Sequence, residues 1–253
     1  MIHALKRTVW EILYGLRTVL DPLFNFREVS VLCYHSISAV QFDINVLPAD
    51  FELHLQKLKA CGYVFVSLAD IVAWTKGERA LPRKAVALTF DDGYADFETV
   101  VLPLAQKYQA PVAVFVVGDV GLSRAYLGQE NSFLSPEALP ELAKNPLVEV
   151  GYHSMTHPNL SKVAQGDLQR EVRAPFPARY FAYPGGGHSP QAAEALKQAG
   201  YEAAFTIRPV PVHQGLDLMY VPRSVILKGM TPRDVCMRAS RAAGWYKVMA
   251  DII

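Results

Sequence analysis

A chain of 253 residues, 51% hydrophobic and 19% charged, suits one large α/β domain with a substantial core. A formal net charge of +1, with no basic run longer than Lys6-Arg7, gives no reason to propose a nucleic-acid partner. Three widely spaced cysteines, Cys33, Cys61 and Cys236, fit neither zinc-finger spacing nor a disulfide framework and are read as thiols in a reducing compartment.

Residues 1–28 form an N-terminal segment in which Ile2, Leu5, Val9, Ile12, Leu13, Leu16, Val19, Leu20 and Phe24 recur close to helical period. Glu11 and Arg17 interrupt it, which argues against a spanning helix. It reads either as a helix packed on its own domain or as an interfacial helix making peripheral membrane contact. No small-residue cleavage site follows a clean apolar stretch, so a cytoplasmic or membrane-peripheral location is expected. From residue 29 to 253 strand-like and helix-like patterns alternate. Residues 29–34 read as a strand, and 48–61 as a helix capped by Asp50. A short strand at 63–66 precedes a helix over 67–77 with Ser67 as cap and Gly77 at its end. Residues 85–90 form a buried strand ending at Asp91-Asp92, and 95–109 a helix that Pro103 distorts. Strands follow at 112–117, 148–150 and 179–183, then the loop Pro184-Gly185-Gly186-Gly187 and a helix over 190–199 closed by Gly200. Strands at 203–207 and 221–227 and a helix over 232–243 complete the pattern. Such alternation implies a parallel sheet with helices on its faces, open or closed into a barrel.

The motifs that carry chemistry each follow a predicted strand, where loops of parallel sheets and barrels converge on one face. Asp91 and Asp92 are adjacent carboxylates, and His153 and His157 stand four residues apart. Two imidazoles and one carboxylate hold a divalent ion while leaving coordination positions open. The second carboxylate is then available to take a proton from the activated water.

The segments Val86-Ala87-Leu88-Thr89-Phe90-Asp91-Asp92-Gly93-Tyr94, His153-Ser154-Met155-Thr156-His157 and Phe181-Ala182-Tyr183-Pro184-Gly185-Gly186 resemble those of the polysaccharide deacetylases, carbohydrate esterase family 4. The stretch Cys33-Tyr34-His35-Ser36 resembles the branch containing the biofilm poly-N-acetylglucosamine deacetylases. The resemblance runs from about Val29 to Leu227. It implies a distorted (β/α) barrel of the NodB type and a metal-dependent hydrolase that removes N-acetyl groups from an N-acetylglucosamine-type polysaccharide or glycolipid. It assigns Asp92, His153 and His157 to the metal, Zn suiting these ligands best, Asp91 to the general base and His35 to the general acid. Gly185, through its N–H, and Tyr183 are candidates for the oxyanion and substrate, and Tyr94, Tyr152 and Tyr183 read equally as sugar-stacking surfaces or as barrel packing.

The chain departs from the family pattern at Ala182, where many members carry an arginine that orients the catalytic Asp. Arg223, after a predicted loop, is expected to take that role. The late Leu-x-His of many members is absent from Ile226-Leu227-Lys228-Gly229, which fits an acid supplied by His35. His188 is a rival acid or sugar contact, and His54 is expected on a solvent-facing helix side. An inactive carbohydrate-binding protein on the same fold, or an O-acetyl esterase, is the alternative reading. The oligomeric state is left open.

Overall fold

The computed structural model describes residues 27–40, 43–127 and 132–240. Residues 1–26 of the expected N-terminal amphipathic segment, and with them the expected membrane contact, therefore lie outside the described residues, as does the end of the last predicted helix; Glu28, placed in that segment, instead opens the first strand. Among the described residues eight strands form one sheet: β1 (Glu28–Tyr34), β2 (Val64–Phe65), β3 (Lys84–Phe90), β4 (Val112–Val116), β5 (Val148–Tyr152), β6 (Tyr180–Ala182), β7 (Ala203–Phe205) and β8 (Ser224–Val225). Their order is β7-β6-β5-β4-β3-β1-β8, and every ladder between them is parallel. β2 takes the start of the β3 edge that β4 occupies from Leu88 onward. Val221, just before β8, bridges back to Phe205 of β7, which brings the two ends of the sheet together. The result is a parallel sheet curled into a distorted barrel.

Side chains alternate across each strand and sort into an inside and an outside. Val29, Val31, Ala85, Ala87, Ala113, Phe115, Ala182, Ala203 and Phe205 share one interior cluster. Most are small, because a closing sheet leaves little room, and two phenylalanines fill what remains. Helix α2 (Leu68–Thr75) contributes Leu68, Ile71, Val72 and Trp74 to that cluster, against the residues with which β1 and β3 begin. The half-buried carboxylate of Glu149, near the start of β5, accepts the Leu68 and Ala69 N–H groups at 2.6 and 3.0 Å, a placement the helix dipole favours. The opposite parity, including Leu32, Tyr34, Leu88, Phe90 and Val114, packs outward on α1 (Pro48–Ala60) and on α8 (Pro232–Ala239). Tyr152, Phe181 and Ala204 pack on α6 (Gln165–Val172) and α7 (Pro190–Gln198).

Two local expectations are corrected, and the distortion expected at Pro103 is found and takes a definite form. Leu47, not Asp50, is the cap of α1, with Pro48 at its first position and Asp50 in the first turn. The distortion at Pro103 is a π-helical turn, Phe97–Val101, ahead of α3 (Leu102–Tyr108); proline has no N–H to donate and crowds the preceding turn. The strand expected at 221–227 shrinks to Ser224–Val225, because the chain crosses from β7 to β1 there and can ladder only briefly with each. Helices α4 (Val120–Leu127), α5 (Leu139–Lys144) and α6 were not anticipated. All three are short; α6 nonetheless carries an apolar stripe, burying Leu168 and Val172 four residues apart. Among the described residues no helix is long and apolar enough to cross a membrane.

Candidate active site

β3 ends by delivering two carboxylates in two directions. The ladder with β1 continues to Asp91, whose N–H donates to Tyr34 C=O at 2.9 Å. Asp92 then turns into the left-handed region, φ +74°, and Gly93 follows at φ +74°. Asp is among the few residues that accept this conformation, and such outliers gather at functional sites. The turn splits the pair: Asp91 meets Arg223 in the barrel, and Asp92 meets the histidines.

β5 runs directly into His153, whose N–H donates to Val116 C=O at 2.9 Å. His153 Nδ1–H donates to Ala182 C=O at 2.8 Å, which leaves the Nε2 lone pair directed at the carboxylates. Ser154 and His157 are both left-handed, φ +66° and +59°, so the motif is a compact loop rather than a helical turn. Glu171 of α6 holds that loop, accepting Thr156 N–H and Oγ1–H at 2.9 Å each. Asp92 Oδ1 lies 3.4 Å from His153 Nε2 and 3.3 Å from His157 Nε2. Ligand atoms 2.0–2.1 Å from a tetrahedral zinc stand about 3.4 Å apart, so this spacing fits a divalent ion. Asp92 Oδ1 is also buried and satisfied by no hydrogen bond, as a ligand atom awaiting a cation would be. Burial lowers the His153 pKa to about 4, so its imidazole is neutral and able to ligate well below pH 7.

Arg223 is fully buried inside the barrel and spans Asp91, with Nη1 2.6 Å from Oδ1 and Nη2 2.7 Å from Oδ2. Nη1 also donates to Thr89 Oγ1 and Nε to Thr206 C=O, each at 3.1 Å, and the guanidinium lies over the Phe115 ring. Phe115 fits because β5 carries Gly151 beside it: an added Cβ would stand 2.5 Å from the ring. Burial, the largest effect, pushes the Asp91 carboxyl up, but the Arg223 guanidinium together with His153 and His35 more than offsets this and holds it well below the ordinary carboxylate range. Cys33 Sγ, 3.3 Å from Oδ2, adds a thiol donor. His35 is half-buried on the same side. One of its ring nitrogens, the Cys33 sulfur and an Asp91 oxygen all lie within 4.8 Å of one another, and its Nδ1 has no hydrogen-bond partner.

Other residues end up elsewhere. Gly185 is exposed at φ +57°, with open space where a side chain would be. Tyr183, Tyr152 and Tyr94 do not offer sugar platforms, since each ring is buried. Tyr183 packs edge-on against Phe181, Tyr152 against Phe181 and Phe176, and Tyr94 stacks on Phe133 with its hydroxyl bonded to Asp92. His188 is exposed between the Tyr183 and Tyr220 rings. His54, expected to face solvent, is fully buried, its Nε2–H donating to Met230 C=O at 2.9 Å, because α8 covers that side of α1. Cys33, Thr89, Phe115 and Glu171 were missed. The first two were within reach, since two-residue alternation places Thr89 on the face of Asp91 and Cys33 on that of His35.

A family model described as polysaccharide deacetylase matches residues 78–204. The chain belongs to the polysaccharide deacetylase family. A relative from Escherichia coli K12 named poly-beta-1,6-N-acetyl-D-glucosamine N-deacetylase is 36% identical over 126 residues, 44% of this chain. The match spans only 18% of that longer protein. A Staphylococcus aureus MRSA252 protein of the same name is 23% identical over 223 residues, 80% of this chain and 74% of its own. The solved structure of IcaB from Ammonifex degensii superposes with a TM-score of 0.71 at 26% identity, over 87% of this chain and 97% of that one. Members of the polysaccharide deacetylase family thus share both the three motifs' region and the curled parallel sheet with this chain.

Proposed function

We propose that the chain removes N-acetyl groups from an N-acetylglucosamine-type polysaccharide or glycolipid by hydrolysis, giving a free amine and acetate. The observation that supports this most is the divided carboxylate pair. Asp92 stands with two imidazoles at ligand spacing, and Asp91, 3.9 Å from His153 Nε2, borders them under the grip of Arg223. Asp92, His153 and His157 would hold a divalent ion, with Zn suited to this donor set. When bound, such an ion lowers the pKa of a ligated water and polarises the acetyl carbonyl.

The chain's own residues do the rest. Asp91 accepts the proton of the attacking water, and Arg223, clamping both oxygens, fixes the direction from which it does so. His35, on the Asp91 side of the site, gives the leaving nitrogen its proton. Gly185 leaves the rim open, so that a polymer can cross it, and offers a backbone N–H to the developing oxyanion. The names of the E. coli and S. aureus relatives favour a β-1,6-linked N-acetylglucosamine polymer among the candidates.

The reading is tested by acetate release from acetylated glycans, using chelated protein with and without added Zn, Co, Ni or Mn. Release that depends on the added metal is expected. No release from any N-acetylated glycan, despite stoichiometric metal binding, would favour the carbohydrate-binding alternative.

A further inference from the structure

Cys61 and Cys236 stand 175 residues apart in the chain, yet their sulfurs lie 2.7 Å apart in the fold. Cys61 is the half-buried residue on which α1 ends, and Cys236 is fully buried in α8. The two helices pack on one another, and both contribute to the cluster on the outer face of β1. The thiols sit in that seam. Cys236 Sγ also reaches Lys57 C=O at 3.5 Å, and the His54–Met230 hydrogen bond crosses the same seam. Sulfurs so placed need only a small further approach to reach the covalent length of about 2.05 Å. We propose that Cys61 and Cys236 form a disulfide in an oxidising compartment and so staple α1 to α8.

The chemistry balances by exchange with a small disulfide such as oxidised glutathione. Cys61, reachable from solvent, gives up its proton and attacks one sulfur of the reagent, releasing one small thiolate. Cys236, already in contact, displaces the second small thiol from the mixed disulfide as it loses its own proton. Two protein thiols and one reagent disulfide become one protein disulfide and two small thiols. Cys61 itself and burial hold the Cys236 thiol protonated well above its usual range, so the buried sulfur does not start the exchange and loses its proton only as it attacks the mixed disulfide it touches. Cys33 is an internal reference, fully buried and engaged with Asp91. The staple would tie the helix reached through the His35 loop to the helix that follows Arg223 and β8. It would also mark an oxidising working environment, contrary to what the cysteine count alone suggests. It is independent of the catalytic proposal.

The full chain is equilibrated in glutathione buffers of graded ratio, denatured with alkylation of remaining thiols, digested and mapped by mass spectrometry. Oxidising buffer should yield a linked peptide pair containing Cys61 and Cys236, with Cys33 alone alkylated. Dithiothreitol should then lower the melting temperature by on the order of 5–10 °C, and leave that of Cys61→Ser unmoved. Three alkylated cysteines after oxidation, a glutathione adduct on Cys61 alone, or a link through Cys33 would each overturn the assignment.

Discussion

Replacing Arg223 by alanine should damage both stability and turnover, in amounts set by its burial. The side chain makes four polar contacts in the barrel: two with Asp91 at 2.6 and 2.7 Å, one with Thr89 and one with Thr206. None of the freed acceptors gains access to solvent, since Asp91 and Thr206 are each 3% exposed and Thr89 0%. Removing one partner of a buried ion pair costs about 3–5 kcal/mol, because the remaining charge is left uncompensated. The lost packing over Phe115 adds to this, so about 4 kcal/mol or more is expected by urea unfolding of the metal-free protein. The titration has a definite sign. Asp91 is held low by the guanidinium against a burial effect that pushes it up, so without Arg223 its pKa must rise. The acid limb of kcat/KM then moves to higher pH, and kcat falls by about 10²-fold as the carboxylate loses its fixed direction. Arg223→Lys should recover part of the stability, since it restores a charge, and little of the rate, since an ammonium cannot span both oxygens. An Arg223→Ala protein that keeps its acid limb and its kcat would refute the positioning role, whatever its stability.

Asp91→Asn should retain metal by equilibrium dialysis yet lose about 10²–10⁴-fold in acetate release; near-normal turnover would remove Asp91 as the base. His35→Ala should cleave amides far more slowly than activated esters, whose leaving groups need less protonation, and equal losses on both would point to a positional effect. His153 has a folded pKa near 4 against about 6.5 in an unfolded chain, so its contribution is present above pH 6.5 and is lost as pH falls toward 4. Metal-free protein should therefore lose about 3 kcal/mol across that window, and His153→Asn should show a shallower slope; parallel slopes would rule this out. Gly151→Ala should cost about 1–3 kcal/mol, since the new Cβ would stand 2.5 Å from Phe115 and 3.0 Å from Tyr180 C=O, and it should disturb Arg223 above that ring. An unchanged melting temperature would show that the interior yields more than its close packing suggests.

Much of the site was legible before any coordinates because its parts are local in sequence. Asp91-Asp92 and His153/His157 each occupy a short segment after a strand, and the motif residues announce their chemistry by type. The same holds for strands with continuous apolar runs, such as 85–90 and 112–116, which are buried on both faces. Legibility failed where burial depends on a distant element. The buried His54 owes its environment to α8, more than 170 residues later. The tyrosines at 94, 152 and 183 could serve by type as sugar platforms, yet each ring is buried in the packed fold.

Residue type and spacing alone thus determined the alternating α/β pattern, the motif loops and their resemblance to deacetylases, since each depends on neighbours within a few bonds. Tertiary structure gave the Arg223–Asp91 clamp, expected only from position, its geometry across 132 residues, and alone decided that Gly151 makes room for the ring beneath it and that Cys61 meets Cys236. Those contacts arise from closing the sheet, and closure is a property of all the strands together that no single segment encodes.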